Sequence, residues 1–260
     1  MSTRQGERDL GAGLQNRGVI VTGAASGVGR AAAVAFASAG ARVAAVDVDV
    51  DGVHDSVAAL EEPERHLAVG FDLIHTEDIA EMVAGATKAL GGLWALVHVA
   101  AVLKRQPLQD VTEADWDLQL DVNLKATFFL DRAAGETMIA AGRGGRIINF
   151  TSGSFLIGPM SGSDAYVASK GGVVSMTRGF ARAYGPNGIL VNAISPGQID
   201  TPMQHTDNPA EVVAAGITAC PLGRMGRPEE VAAVAVFLAS NHASFVNGAT
   251  INVSGGSIMY

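Results

Sequence analysis

The sequence predicts an α/β fold: one doubly wound parallel sheet of about seven strands with helices on both faces. Two observations lead to it. Seven short apolar runs rich in Val and Ile alternate with longer Ala-rich segments of helical spacing. Most of the runs lack polar alternation, as strands covered on both faces do. Such alternation implies right-handed crossovers between parallel strands.

In order, the strand segments are residues 19–22, 42–47, 66–71, 94–99, 146–151, 189–194 and 249–253. The helical segments are 28–39, 76–90, 112–141, 165–184, 208–217 and 228–240. Gly40 stops the first helix, and Thr112 with Asp115 caps the third. Residues 1–13 read as a mobile tail and 14–260 as a single domain, with a cofactor half (about 14–150) and a catalytic and substrate half (about 151–260).

Composition narrows the function. Hydrophobic residues make up 48% of the 260 and charged ones 17%, enough for a large core. The net charge of −8, with no Lys/Arg block, argues against nucleic acid or an anionic membrane as partner. No apolar run approaches the roughly 18 residues of a membrane span. The N-terminus lacks the apolar stretch of a signal peptide, so a cytoplasmic location is expected. The single Cys220 excludes an internal disulfide and reads as a packed side chain rather than a reactive thiol.

The first strand runs into TGAASGVGRAA, residues 22–32. Gly27, Gly29 and Ala32 fit G-x-G-x-x-G/A, the Rossmann dinucleotide fingerprint, at a strand-to-helix turn. Glycine permits the tight turn and the close approach of a pyrophosphate, whose charge the helix N-terminus stabilises. Asp47 follows Gly29 by 18 residues and ends the second strand. A carboxylate there accepts hydrogen bonds from the adenine ribose and repels a 2′-phosphate, selecting NAD. The competing reading is a surface strand end.

Asp47, Asp49 and Asp51 also spell D-x-D-x-D-G, the opening of a calcium loop. Position 12 of that loop should be Glu and is Ala58. No metal is expected, and Asp49 and Asp51 read as a solvated turn.

Residues 151–170, TSGSFLIGPMSGSDAYVASK, place Tyr166 and Lys170 one helical turn apart on one face. They follow a strand and a serine-rich loop holding Ser152 and Ser154, and Asn123 lies in the preceding long helix.

From about Leu14 to Gly256 the chain resembles the short-chain dehydrogenase/reductase family. Its TGxxxGxG appears as Thr22, Gly23, Gly27 and Gly29, and its proline–glycine segment as SPGQIDTP, residues 195–202. The resemblance implies a catalytic tetrad of Asn123, Ser152, Tyr166 and Lys170. It implies cofactor contacts from Gly23, Ser26, Gly27, Val28, Gly29, Asp47, Asp72, Ala100, Tyr166, Lys170, Pro196, Gly197, Ile199 and Thr201. Asp72 would meet adenine, unless it is a plain strand-end cap, and Thr201 the nicotinamide carboxamide. Asn123 would hold a water linking Lys170 to solvent. Helices 112–141 and 165–184 would pair between subunits of a homotetramer, with Ala133, Ala134, Gly172 and Gly179 as small surface residues.

The implied activity is NAD(H)-dependent interconversion of a small-molecule secondary alcohol and a ketone. A 3-oxoacyl-thioester reductase or 3-hydroxyacyl dehydrogenase would use the same residues, and a non-catalytic NADH-binding regulator is the rival of another class. Tyrosine ionises near 10, so its use as a base requires a shift of about three units, roughly 4 kcal/mol, from nearby cations. Lys170 and the oxidised nicotinamide are those cations. Ser152 would orient the reacting oxygen.

Several positions depart from the family or stay open. Ser152 precedes Tyr166 by 14 residues and Ser154 by 12, where about 13 is usual. The strand register favours Ser152, with an extra loop residue absorbed around SGSD. VHVAA, residues 97–101, stands where the family has N-N-A-G. His98 reads as a replacement for the bracing Asn, in preference to a second base. Residues 198–222, with Pro202, Met203, His205, Pro209 and Pro221, form either a lid or a surface excursion. Lys104 and Arg105 lie on the ligand side of the sheet, where attraction of an acidic substrate competes with a solvated loop.

Overall fold

The computed structural model describes residues 10–159 and 162–260. Seven parallel strands form one sheet: β1 Gly18–Thr22, β2 Arg42–Asp47, β3 Leu67–Gly70, β4 Ala95–His98, β5 Gly145–Phe150, β6 Ile189–Pro196 and β7 Thr250–Val253. Their order is β3-β2-β1-β4-β5-β6-β7. Strands β1, β2, β4 and β5 bury nearly every residue, because helices cover both faces.

On one face lie α1 (Gly27–Ser38), α2 (Val50–Ala58) and α10 (Pro228–Ala239), packed around Phe36, Val53 and Val236. On the other lie α3 (Ile79–Leu90), α4 (Glu113–Leu120) with α5 (Ala126–Ala141), and α7 (Asp164–Tyr184), around Leu96, Leu130 and Met138. The shorter α6 (Ser154–Ile157), α8 (Pro202–His205) and α9 (Ala210–Ala219) follow the ends of β5 and β6. The winding direction reverses between β1 and β4, and a crevice opens there beyond the strand ends.

The structure corrects the sequence reading at several places. The turn assigned to Asp49 and Asp51 is the start of a helix. Asp49 caps α2, its carboxylate accepting the Gly52 N–H at 3.0 Å, and Asp51 lies in the first turn. Three valines and a glycine make a poor helix former, but Val53 and Val57 bury against the sheet, and that packing outweighs propensity. Residues 10–13, assigned to the tail, form a turn in which the Ala12 carbonyl accepts the Asn241 N–H. Residues 1–9, and Met160 and Ser161 of the loop before α7, lie outside the described residues.

The helix expected over 76–90 begins at Ile79, and that expected over 208–217 runs from Ala210 to Ala219. The helix over 112–141 forms, with the Thr112 hydroxyl accepting the Asp115 N–H, but a π-helical turn at Asp121–Lys125 interrupts it. Ala133 and Ala134 are buried inside the subunit and are not surface residues. A side chain at Gly172 would strike Leu124, so of the four small residues Gly179 alone faces open space.

Under α5 lies a buried polar cluster. The Asp131 carboxylate accepts the Asn149 side-chain N–H at 2.7 Å, and the same amide reaches the Thr177 hydroxyl at 3.3 Å. Among the described residues Asp131 Oδ1 and Asn149 Oδ1 have no hydrogen-bond partner. Burial pushes the Asp131 carboxyl up to about 8.

Candidate active site

The crevice is a cavity of about 750 Å³ running from the end of β2 to the start of α7. The glycine turn floors one end. Gly23 and Gly27 have φ of +70° and +51°, which only glycine adopts without strain. Gly29 packs against the turn that follows β1 so closely that an added Cβ would lie 1.9 Å from the Gly23 carbonyl oxygen. Ser26 sits at the N-cap of α1 without a side-chain cap bond, and no acidic residue lies in the first turn. The turn therefore fits a bound phosphate. Gly29→Ala should lower stability by about 1–3 kcal/mol through overpacking and weaken nucleotide binding. A urea midpoint and an NADH titration equal to those of the unsubstituted protein would refute this.

Asp47 is half-buried at the cavity wall. Its Oδ2 accepts the Ala25 N–H at 2.9 Å and its Oδ1 the Asp49 N–H at 3.1 Å, so the carboxylate is fixed beside the glycine turn. Asp47 and Asp49 thus serve different backbone groups. Among the described residues no cluster of His, Cys, Asp or Glu could hold a metal ion. Asp72 also lines the cavity, exposed, with Oδ1 accepting the Ile74 N–H.

His98 bridges strands. Its Nδ1 lies 2.7 Å from the Thr22 hydroxyl, which also accepts the Ala100 N–H at 3.3 Å. The Thr22 hydroxyl and Nδ1 share one hydrogen, and Nε2 is buried without a hydrogen-bond partner among the described residues. Burial, then the nearby Lys170 charge, lowers its pKa to about 3, so the imidazole is neutral. The pair fixes the chain at Ala100, which passes the glycine turn: a Cβ on Gly23 would lie 2.7 Å from the Ala100 nitrogen.

The other end of the cavity holds the tyrosine. The Ser152 hydroxyl hydrogen-bonds Tyr166, and the Ser154 hydroxyl backs it at 2.8 Å. Lys170 is buried with Nζ 5.6 Å from the Tyr166 ring centre, donating to the Phe150 carbonyl at 2.8 Å. The π-helical turn carries Asn123, whose amide both donates to and accepts from the Val102 backbone at 2.8 Å. It also reaches Ser169 Oγ at 3.2 Å, which donates to the Tyr166 carbonyl. Asn123 thereby ties the loop after β4 to the helix bearing the tyrosine.

In the chain by itself burial raises Tyr166 to about 12; the Ser152 hydrogen bond and the Arg105 charge lower it without prevailing. Burial also brings Lys170 down to about 8. Residues of the chain alone leave the phenol protonated at neutral pH.

Pro196, Gly197, Ile199 and Thr201 leave β6 along the cavity wall. Gly197 passes so near Ser254 that a Cβ would sit 2.8 Å from its Cα. Thr201, at the N-cap position of α8 without a side-chain cap bond, packs on Gly27 and so brings the segment after β6 against the glycine turn. Two lining residues carry more than the sequence reading gave them. Gln198 has its Oε1 buried without a hydrogen-bond partner among the described residues. Its position inside the proline–glycine segment was the available signal. Arg105 turns into the cavity, whereas Lys104 turns out to pair with Asp115. Cys220 is buried, with Sγ 3.5 Å from the Gly255 carbonyl oxygen.

A phosphate-binding turn and a Ser–Tyr–Lys cluster sharing one cavity are the arrangement of a nicotinamide-dependent oxidoreductase. The chain belongs to the short-chain dehydrogenase/reductase family. A family profile described as enoyl-(acyl carrier protein) reductase matches residues 23–257. It is 38% identical over 257 residues to the (3R)-3-hydroxyacyl-CoA dehydrogenase of Rattus norvegicus, covering 95% of this chain and 98% of the rat protein. It is 38% identical to the NAD-dependent glycerol dehydrogenase of Listeria innocua, covering 94% of each. A short-chain type dehydrogenase/reductase from Mycobacterium marinum has the same fold, with a TM-score of 0.89 and 30% identity over 96% of this chain and 98% of that one. Among the described residues no helix is long and apolar enough to cross a membrane.

Proposed function

We propose that this chain is an NAD(H)-dependent dehydrogenase that interconverts a small-molecule secondary alcohol and a ketone, with Tyr166 as general acid and base. The observation that carries the reading is the shared cavity. Asp47 and the glycine turn stand at one end, and the Tyr166 and Ser152 hydroxyls and Lys170 at the other. Residues of about 14–150 form the cofactor half and about 151–260 the catalytic and substrate half. The protein acts as a cytoplasmic homotetramer without nucleic-acid or membrane partners.

Gly23, Ser26, Gly27, Val28 and Gly29 would hold the pyrophosphate, Asp47 the adenine ribose and Asp72 the adenine. Ala100, Pro196, Gly197, Ile199 and Thr201 would line the nicotinamide side, with Lys170 on its ribose. When bound, the oxidised nicotinamide supplies the hydride acceptor and a positive charge beside the phenol. With that charge and Lys170 beside it the phenol would first lose its proton to solvent; the tyrosinate would then take the hydroxyl proton in oxidation, and the phenol would return it in reduction. Ser152 holds the reacting oxygen against the phenol. Lys170 remains a cation below about pH 8, and its support of tyrosinate fades above it. Asn123 positions the helix that carries Tyr166 and offers the site for a water leading to Lys170.

The test is a panel of secondary alcohols and 3-hydroxyacyl thioesters with NAD⁺ and NADP⁺, read as cofactor absorbance. Asp47→Asn keeps an acceptor for the Ala25 N–H and removes the charge. It should weaken NAD⁺ by about 10- to 100-fold, the range for a charge-assisted hydrogen bond, and improve NADP⁺. Equal use of both cofactors by the unsubstituted protein sinks the NAD assignment. A 3-hydroxyacyl-thioester substrate is the second reading, supported by the name of the rat relative. Faster turnover of thioesters than of free alcohols would decide for it.

A further inference from the structure

We propose that Arg105 determines substrate specificity by holding a carboxylate on the substrate while Tyr166 handles the carbinol beside it. This rests on the reading of Tyr166 given above and adds the class of alcohol that the site takes.

Four observations point to an anion at this place. The guanidinium is fixed: Nη1 donates to the Met203 carbonyl at 3.1 Å and the Thr206 carbonyl at 2.7 Å. Both hydrogens of Nη1 are thereby engaged, whereas Nε and Nη2 have no hydrogen-bond partner among the described residues. That free edge presents two parallel N–H groups, the geometry that grips a carboxylate bidentately.

No acid neutralises the group. Arg105 forms no ion pair among the described residues; Asp207 acts on it through its field alone and is exposed. Its neighbour Lys104 is paired with Asp115. In a protein of net charge −8, an uncompensated, half-buried arginine on a cavity wall is costly unless an anion visits it.

The position also suits the reaction. Arg105 lies near enough to Tyr166 for its charge to lower the phenol's pKa. The other cation on this cavity, Lys170, is bonded to the Phe150 carbonyl, and Leu118, Ile157 and Ile258 on the wall are apolar. Asp47 and Asp72 stand at the opposite end, where a second anion would be repelled. A hydroxy acid therefore has one productive orientation, with its carboxylate on Arg105 and its carbinol on Tyr166.

The competing role for Arg105 is a latch that holds the segment around α8 through the Met203 and Thr206 carbonyls. The two roles separate in a matched series: hydroxy acids with the carboxylate one to four carbons from the carbinol, each beside its primary amide. With NAD⁺ the unsubstituted protein should favour its best acid over the matching amide by about 10- to 100-fold in kcat/KM, the range of a charge-assisted pair. Arg105→Gln should bring that ratio to about one by raising KM for the acid alone, while loss of the charge beside Tyr166 lowers kcat for acid and amide alike. Arg105→Lys should retain part of the preference. A ratio near one in the unsubstituted protein overturns the proposal, and so does equal loss of kcat/KM for acid and amide in Arg105→Gln, the signature of a latch. Calorimetric titration of the NAD⁺ complex with each pair gives the same comparison without turnover. Neutral alcohol oxidation with no acid preference would refute Arg105 alone and leave the Tyr166 reading standing.

Discussion

Tyr166→Phe should reduce alcohol turnover by about 10²- to 10⁴-fold, the range for removing a positioned acid or base, while NADH affinity changes little. The asymmetry follows from geometry. The phenol hydroxyl meets Ser152 at the catalytic end, whereas the glycine turn and Asp47 stand at the other end of the cavity. Ring packing is preserved, so the protein should unfold at the same urea concentration. Single-turnover kinetics with NAD⁺ and an alcohol, alongside a fluorescence titration with NADH, separate the two effects. Full turnover in the variant would remove Tyr166 from the chemistry, whereas nucleotide binding with no turnover by the unsubstituted protein would revive the regulator reading. Because the chain's own groups leave the phenol at about 12, with burial prevailing, its ionisation should depend on the bound cofactor. Tyrosinate absorbance of the free protein should therefore lack the contribution that appears when NAD⁺ is added, and Tyr166→Phe should abolish the difference.

Asp131→Asn should flatten the pH dependence of stability. Burial raises the Asp131 carboxyl from 3.8 to about 8, so over that interval the folded chain keeps a proton that the unfolded chain releases. Stability from this group is fully present below about pH 4, falls as pH rises, and is constant once both states are ionised above about 8. Between pH 5 and 8 the loss is on the order of 4 kcal/mol at roughly 1.4 kcal/mol per unit. An asparagine carries no such proton, and its amide can pair with Asn149, whose Oδ1 lacks a partner among the described residues. Urea midpoints at pH 5, 7 and 9 should show the variant gaining on the unsubstituted protein as pH rises. A constant difference across the series would mean that Asp131 is not a buried neutral acid. Burial raises the Tyr184 pKa, and the Glu136 and then the Asp131 charge raise it further.

Much of the site could be read from short stretches because its chemistry is arranged locally. Gly27 and Gly29 are recognisable because a strand must turn into a helix within a few residues. Tyr166 and Lys170 are recognisable because four residues is one turn of α7. Ser152 was harder, since spacing alone left it beside Ser154; the folded loop puts the Ser152 hydroxyl on Tyr166 and Ser154 behind it. Helix α2 escaped because its valines and glycine are weak local formers and its stability comes from the sheet beneath it.

By itself the sequence determined the seven parallel strands, the glycine turn with its acid, and the Tyr–Lys pair, all of which depend on periodicity and short spacings. Only the tertiary structure decided which way longer-range groups face. It turned Arg105 into the cavity and Lys104 out of it, buried Ala133 and Ala134, and joined His98 to Thr22 across 76 residues. It also decided that Tyr166 resists ionisation in the chain alone. Burial, and the direction of a side chain on an irregular loop, depend on neighbours distant in sequence, which no local pattern records.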